Sequence, residues 1–402
     1  MKIAIASSGL GHVARGIETW AQTTAEALHA KGVNVTLFSG APVVGATVPV
    51  DVVWCLPRRH RMNRFLVAVL SKLGGWRFGW GSSYQTEQTL FAAGLQRLLR
   101  RGRYDIVHLQ DPWLAALLQR GYDRGHHETA VILAHGTEET LSFLQSIRYL
   151  QELSPPYYER HAGDTRTGYL RFMIPNFVDV NVFKPIDRAQ ARALLGLQQD
   201  AFIVLSVGAL NADRKRMDKV AGEFSLAAGT SMVLVLAGAA DNDASRALVR
   251  DISSHLGSRC RIMTDVPYGA MPGVYAAADV FVLGSTAEIF GIAFLEAMSC
   301  GIPCIGHAYP VTQWVIGDGG MCVDMAKDGT LADAIRAACD PGWRLAKGAA
   351  ARERAVSLFS HHVVVGQMIE MYKMVMENRG EIPKKKKCMV LGAFISQCLV
   401  HS

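Results

Sequence analysis

Glu288 and Glu296 stand on either side of Phe290-Gly291, in the stretch Ser285 to Pro303 that reads STAEIFGIAFLEAMSCGIP. The apolar run Val280 to Leu283 has the continuous hydrophobicity of a parallel strand buried on both faces, and Ala293, Leu295, Ala297 and Met298 then change the period to a helical one. A helix opening at Phe290, Gly291 and Ile292 presents unpaired backbone N–H groups and the positive end of its dipole, which is a ready site for phosphate. Two carboxylates do not belong beside a phosphate for its own sake. Glu288, just before the helix, and Glu296, inside it, are therefore expected to accept hydrogen bonds from neutral hydroxyls next to the phosphate. A sugar ring and a ribose flanking a diphosphate supply such hydroxyls. The plain alternative is an ordinary strand-to-helix junction with surface acids.

Other residues fit the same chemistry. The loop GALNADRKRMD gathers Arg214, Lys215 and Arg216 after a strand expected at Ala201 to Val207, and clustered cations there can clamp a diphosphate through charge-assisted bonds. A first strand at Ile3 to Ala6 runs into the loop SSGLGHVARG, whose third glycine, Gly16, comes too late for the G-x-G-x-x-G of a dinucleotide site. His108 and His135 lie where strands of an open α/β sheet end, the edge at which ligands bind. A lone histidine at such an edge is ordinarily structural, and His108 reads as packed or locally bonded. The D-x-D of Asp241 to Asp243 reads as the cap of a helix starting near Ala244, and with no other acidic cluster in support no metal is expected.

Ser285 to Pro303 resembles the E-x7-E signature of glycosyltransferase family 4 and related retaining enzymes of GT-B fold. The resemblance implies that Glu288 contacts the transferred sugar, that the helix start at Phe290, Gly291 and Ile292 binds the diphosphate, and that Glu296 holds the ribose hydroxyls. Arg15 to Glu18 is similar to the family's GGxE turn, which faces the donor diphosphate across the interdomain cleft; Gly16 matches it and Arg15 replaces its first glycine. His135-Gly136 resembles the family's strand-closing histidine motif, implying contact of His135 with donor sugar or phosphate. Lys215 matches the lysine of the family's basic loop, whereas Ala209 stands where the family has arginine, a gap that Arg214 or Arg216 could fill. Tyr169 to Pro185 is similar to the linker into the second domain, with Phe177 in place of a glycine, and Pro267 to Asp279 resembles the segment that introduces the signature.

The fold so implied is α/β: GT-B, two Rossmann-like doubly wound domains facing across a cleft. Residues 1–178 would form an acceptor-side domain to which a C-terminal helix, about 360–380, returns, and residues 179–359 the nucleotide-sugar domain. The implied reaction moves a sugar from a nucleoside-diphosphate donor to an acceptor hydroxyl, with retention, without metal or cofactor, and with a donor phosphate acting as base. Glu288, His135 and Lys215 are the expected catalytic residues, and the domains are expected to close over the donor. The rival classes are a GT-B epimerase or phosphorylase and a catalytically weak nucleotide-sugar-binding protein.

The elements that must position these groups follow the alternation of strand and helix along both halves. A chain of 402 residues, half of them hydrophobic, can bury two cores. Its 42 Lys and Arg against 35 Asp and Glu leave a net charge of +7, with four lysines in one run, 384–387, which argues against a nucleic-acid surface. Eight cysteines without a C-x-x-C pair suit reduced thiols in the cytoplasm. The N-terminus reads as a strand rather than a signal peptide, and no apolar run is long enough to span a membrane.

The segment Arg58 to Trp80 is unusual. Arg58, Arg59, Arg61 and Arg64 precede FLVAVL, and Lys72 and Arg77 lie among Trp76, Phe78 and Trp80. It reads either as a core helix with a solvated cationic end or as a surface touching anionic lipid or a large saccharide or lipid-linked acceptor, with the chain peripheral at the membrane. The tail 381–402, lysines followed by apolar residues, reads as a disordered end or a weak interfacial anchor.

Overall fold

The computed structural model describes residues 1–13, 16–160, 170–227, 229, 231–264, 266–379 and 388–389. They fall into two compact units, Met1–Pro175 with Val365–Ser402, and Asn176–Val364. The first contains β1 (Lys2–Ser7), β2 (Asn34–Ser39), β3 (Val50–Val52), β4 (Ile106–Leu109), β5 (Ala130–His135), β6 (Tyr149–Glu152) and β7 (Leu170–Met173). The second contains β8 (Phe202–Val207), β9 (Met232–Ala237), β10 (Cys260–Met263), β11 (Val280–Val282), β12 (Cys304–His307) and β13 (Gly320–Val323). A last strand, β14 (Cys388–Met389), belongs to the first unit's sheet, where it pairs with β7.

The second unit's sheet runs β10-β9-β8-β11-β12-β13, and the first unit's runs β3-β2-β1-β4-β5-β6-β7-β14, with every pair parallel. Both therefore contain the doubly wound strand order 3-2-1-4-5-6, which reverses beside the first strand of each unit. The expected α/β class with two Rossmann-like sheets is what the chain forms. The inner strands β4, β5 and β11 are buried throughout, as their runs of Ile, Val, Leu and Ala require, whereas the edge strands β3 and β10 are partly exposed. Helix α1 (Gly16–Ala30) follows β1, and α2 (Arg61–Leu70) and α3 (Ser83–Gly102) lie between β3 and β4. Ser82 caps α3 by accepting from the Gln85 N–H at 3.1 Å, and Phe91, Leu95 and Leu99, spaced by one turn, seat it on the β4 and β5 residues Val107, Leu109, Val131 and Leu133. In the second unit Val220 and Phe224 share a core with Val204, Leu234, Leu236 and Ile335.

The third strand lies at Val50–Val52, where Val50 pairs with Leu37 of β2 and the Pro49 carbonyl accepts from the Leu37 N–H. The chain from Thr330 to Glu377 forms three helices, Thr330–Ala337, Pro341–Phe359 and His361–Glu377, the middle one started by an Asp340 cap and Pro341. In the D-x-D segment the capping residue is Asn242, which accepts from the Ser245 N–H at 2.8 Å. Helix α2 does not sit as a core helix: its buried residue is Asn63, while Met62, Phe65 and Val69 are exposed.

Helix His361–Glu377 carries the chain back to the first unit. Its Tyr372 hydroxyl bonds His108 Nδ1 at 2.8 Å, and the Asn378 carbonyl just beyond it accepts from the Tyr149 hydroxyl at 3.4 Å. Near its two ends the second unit's segment runs side by side: the Val178 N–H donates to the Phe359 carbonyl at 2.9 Å, and the His361 N–H to the Val178 carbonyl at 3.0 Å. Arg15 and nearly all of the 381–402 tail lie outside the described residues.

Candidate functional site

The second unit reverses strand order between β8 and β11, so the loops after those strands define a crevice edge. After β8, the Asn211 side-chain oxygen accepts from the backbone N–H of Arg214 at 3.2 Å and of Lys215 at 2.8 Å, folding the basic loop over itself. Lys215 then reaches the loop after β11, where its Nζ meets Glu288 Oε1 at 2.5 Å. Two groups 73 residues apart in sequence thus form one charge-assisted contact. Gly284 permits it: a Cβ there would lie 3.0 and 3.1 Å from the carbonyl oxygens of Lys215 and Arg216 and 2.7 Å from Val220.

Glu288 lies beside the start of helix Ile292–Ser299, its Cγ 3.8 Å from where a Gly291 Cβ would stand. Gly291 is the N-cap, at φ 80°, a conformation that glycine adopts without penalty. It offers no side chain to the first N–H groups of the helix, which stay available to an anion. Phe290 contributes backbone only; its ring is buried against Trp314 and Phe359. Ile292 is half-buried at the helix start. Glu296, one turn further in, is buried and accepts from the Tyr275 hydroxyl at 2.6 Å. Burial pushes its carboxyl up to about 7, against the downward pull of hydrogen bonds from Tyr275 and Tyr268.

The other cations divide. Arg214 is exposed, and Arg216, at φ 50°, turns its guanidinium to the Met325 carbonyl at 3.2 Å. Lys219 bonds Glu223 at 3.1 Å and also pairs with Asp328, so it is committed to its own surroundings.

In the first unit Gly16 opens α1 with open space where a Cβ would project. His135 ends β5 but is buried; its Nδ1 bonds Glu152 Oε2 at 2.8 Å, and Arg171 holds the other oxygen of that carboxylate at 2.9 Å. His108 is buried between Trp20 and Tyr372, and burial pushes its imidazole down to about 3, so it is neutral.

A cluster that the sequence did not disclose lies at the first unit's own reversal, between β1 and β4. Glu87 of α3, fully buried, accepts from the Ser8 hydroxyl at 2.9 Å, contacts His12 Nε2 at 3.0 Å, and takes the backbone N–H of Arg58 at 2.7 Å and its Nη2 at 2.5 Å. Burial alone would raise its carboxyl, but the His12 and Arg58 bonds outweigh that and hold it at about 2. Arg58 also lies 4.8 Å from the centre of the Tyr84 ring, whose hydroxyl bonds Asp111 at 2.9 Å. Only the lone run of arginines beginning at Arg58 hinted at it.

Comparison with known proteins gives matches along both units. Residues 187–352 match the family described as Glycosyl transferases group 1, and residues 14–177 match Glycosyltransferase Family 4. The D-inositol 3-phosphate glycosyltransferase of Arthrobacter sp. (strain FB24) is 25% identical over 425 residues, covering 90% of this chain and 93% of that protein. D-inositol 3-phosphate glycosyltransferase 1 of Catenulispora acidiphila is 29% identical over 215 residues, so there the chain spans only 50% of its relative's length. Among solved structures, sucrose-phosphate synthase from Thermosynechococcus elongatus superposes with a TM-score of 0.76 at 21% identity, over 94% of this chain and 99% of that one. HepE of Anabaena, solved in complex with UDP-glucose, gives 0.72 at 16% identity, over 93% and 100%. At these identities the structural likeness speaks for the fold, which is GT-B.

Proposed function

The chain belongs to glycosyltransferase family 4, and on that footing we propose that it moves a sugar from a nucleoside-diphosphate donor to an acceptor hydroxyl. The observation that carries this reading is the Lys215–Glu288 contact beside the glycine-opened start of helix Ile292–Ser299. It brings a cation, a carboxylate and free backbone N–H groups to one edge of a doubly wound sheet. Lys215 and the N–H groups at Phe290 to Ile292 bind the diphosphate and stabilise the charge that develops on it as the glycosidic bond breaks. Arg214 and Arg216 flank that anion in place of the arginine absent at Ala209. Glu288 accepts from hydroxyls of the transferred sugar, and Glu296, beside its tyrosine partners, from the ribose. Gly16, and His135 with its ring fixed by Glu152, remain donor contacts in this proposal.

The reaction retains configuration, with a donor phosphate taking the acceptor proton as the leaving group departs and the Lys215 charge serving where a metal would otherwise stand. The donor is a substrate, and no separate cofactor enters. The acceptor is a saccharide, a phosphorylated polyol or a lipid-linked hydroxyl. The polyol follows the names of the relatives, and a lipid-linked acceptor would draw the chain to a membrane surface. Among the described residues no helix is long and apolar enough to cross a membrane. A cytoplasmic setting completes the proposal, in keeping with the free thiols of Cys55, Cys260, Cys300, Cys304, Cys322 and Cys339.

The test is a donor screen. Purified protein incubated with UDP-, GDP- and ADP-sugars, with glucose as the first sugar because HepE was solved with UDP-glucose, is expected to release nucleoside diphosphate from one of them, faster once inositol phosphate or a lipid acceptor is supplied. No turnover of any donor, together with no heat of nucleotide binding in calorimetry, overturns the reading.

A further inference from the structure

Helix α2 is amphipathic in the opposite sense to a helix that packs on a core. Its polar Asn63 faces inward, completely buried, and donates its side-chain amide to the Leu56 carbonyl at 2.8 Å and the Ser83 carbonyl at 3.1 Å. Of its apolar residues Leu66, Val67 and Leu70 are half-buried, and the remainder face out. Met62, Phe65 and Val69 follow one another at helical spacing with 52%, 62% and 42% exposure, and Leu73 and Phe78 in the short turns beyond extend the row at 77% and 72%. Leaving such a row in water is costly, and a row this long is more than the scattered apolar residues that ordinary surfaces carry.

Charge identifies what covers it. Between Val52 and Thr86 the chain has six Lys and Arg and no Asp or Glu. Arg58 is committed to Glu87, but Arg59, Arg61, Arg64, Lys72 and Arg77 are exposed around the apolar row. A second copy of this face would bring like charges together. An apolar row flanked by cations alone matches a bilayer whose headgroups are negative, with the side chains in the acyl boundary and the cations at the phosphates. The fixing of α2 from beneath by Asn63, and its His60 cap, which accepts from the Met62 N–H at 3.2 Å, hold the row in place before any partner arrives.

We propose that the face formed by α2 and the turns through Phe78 docks the protein on anionic lipid bilayers, lying in the interface without spanning it. This deepens the acceptor reading above by favouring a lipid-linked one, but the docking itself is measured without donor or acceptor, so its failure leaves glycosyl transfer standing.

The experiment is co-sedimentation of the full chain with phosphatidylcholine vesicles, alone or with about 30 mol% phosphatidylglycerol. Binding is expected to the anionic vesicles and not to the neutral ones, and to weaken as salt shortens the Debye length. The triple substitution Phe65→Ser, Val69→Ser, Leu73→Ser is expected to lower the partition coefficient at least about tenfold, and Arg61→Gln, Arg64→Gln, Lys72→Gln to do the same while flattening the salt dependence. Leu345→Ser, at a residue of the second unit that is 78% exposed, serves as the control and leaves binding unchanged. Melting temperatures near wild type establish that the variants fold, as expected for exposed positions. Failure of the wild type to bind anionic vesicles, or wild-type binding by the folded serine variant, overturns the proposal.

Discussion

The two units reverse their strand order at equivalent places but furnish the reversal in opposite ways. In the second, Lys215 and Glu288 meet as a half-buried pair beside an uncapped helix start, and Glu296 behind them is buried with its carboxyl pushed up to about 7. In the first, Glu87 is as deeply buried but is gathered by Ser8, His12 and Arg58 and held at about 2. Burial is common to Glu87 and Glu296; the supply of donors is not. A carboxylate met by a guanidinium and several N–H and O–H groups stays ionised in the interior, whereas one met by a tyrosine hydroxyl takes up a proton near neutrality. The first arrangement is a fixed strut, and the second keeps a carboxyl that can change its protonation and bonding near neutral pH.

The comparison can be broken at its strongest point by Glu87→Ala. It strands the Arg58 charge and the Ser8 and His12 donors, and urea unfolding is expected to show a loss of about 3–5 kcal/mol; a loss under about 1 kcal/mol would mean that the cluster is not a strut. Lys215→Ala should lower donor turnover about 100-fold or more with little change in melting temperature, whereas Lys219→Ala, whose partners are Glu223 and Asp328, should leave turnover within about threefold. Equal effects of the two lysines would dissolve the distinction between the site and its surroundings. Gly284→Ala pushes a methyl toward the Lys215 and Arg216 carbonyls, and about 1–3 kcal/mol of destabilisation is expected in thermal melts, with turnover lost alongside.

The smallest effect is a pair of pH slopes of opposite sign, each at most about 1.4 kcal/mol per pH unit. Glu296 binds its proton more tightly folded than unfolded, so its contribution favours folding below pH 4.5 and is lost as pH rises to about 7. Glu87 binds its proton less tightly when folded, so its contribution is present above pH 4.5 and lost as pH falls toward 2. Unfolding titrations of Glu296→Gln and Glu87→Gln should each remove one slope and leave the other; a single variant that removed both would show that the two carboxyls are not independent.

What the sequence disclosed follows the range over which each feature is encoded. The junction from Val280 to Pro303 is local, with a buried strand, a glycine and a helical period in succession, and it was legible together with the doubly wound class of both units. The Lys215 and Glu288 loops were each legible, but their contact was not, because it depends on Gly284 letting two backbones approach. The Glu87 cluster draws on residues 8, 12, 58 and 87, and Glu87 alone looks like any acid on a helix. His108 reads as locally packed, and its partner Tyr372 lies 264 residues away. Strand β6 escaped notice because YLQE is short and half polar; its Gln151 is buried and donates its side-chain amide to the Ile174 carbonyl at 2.9 Å. The outward apolar row of α2 has the same period as a core row, and only Asn63, pinned beneath, shows which way the helix faces.

The bridge of Val178 to Phe359 and His361 gives the second unit a property of its own. Its entrance and exit strands are stitched together, so the segment 176–364 is in effect a closed cassette spliced into the chain that surrounds it. Such a cassette can be lifted out as one piece, or its ends joined by a few residues and reopened at a surface turn, without severing any strand of either sheet.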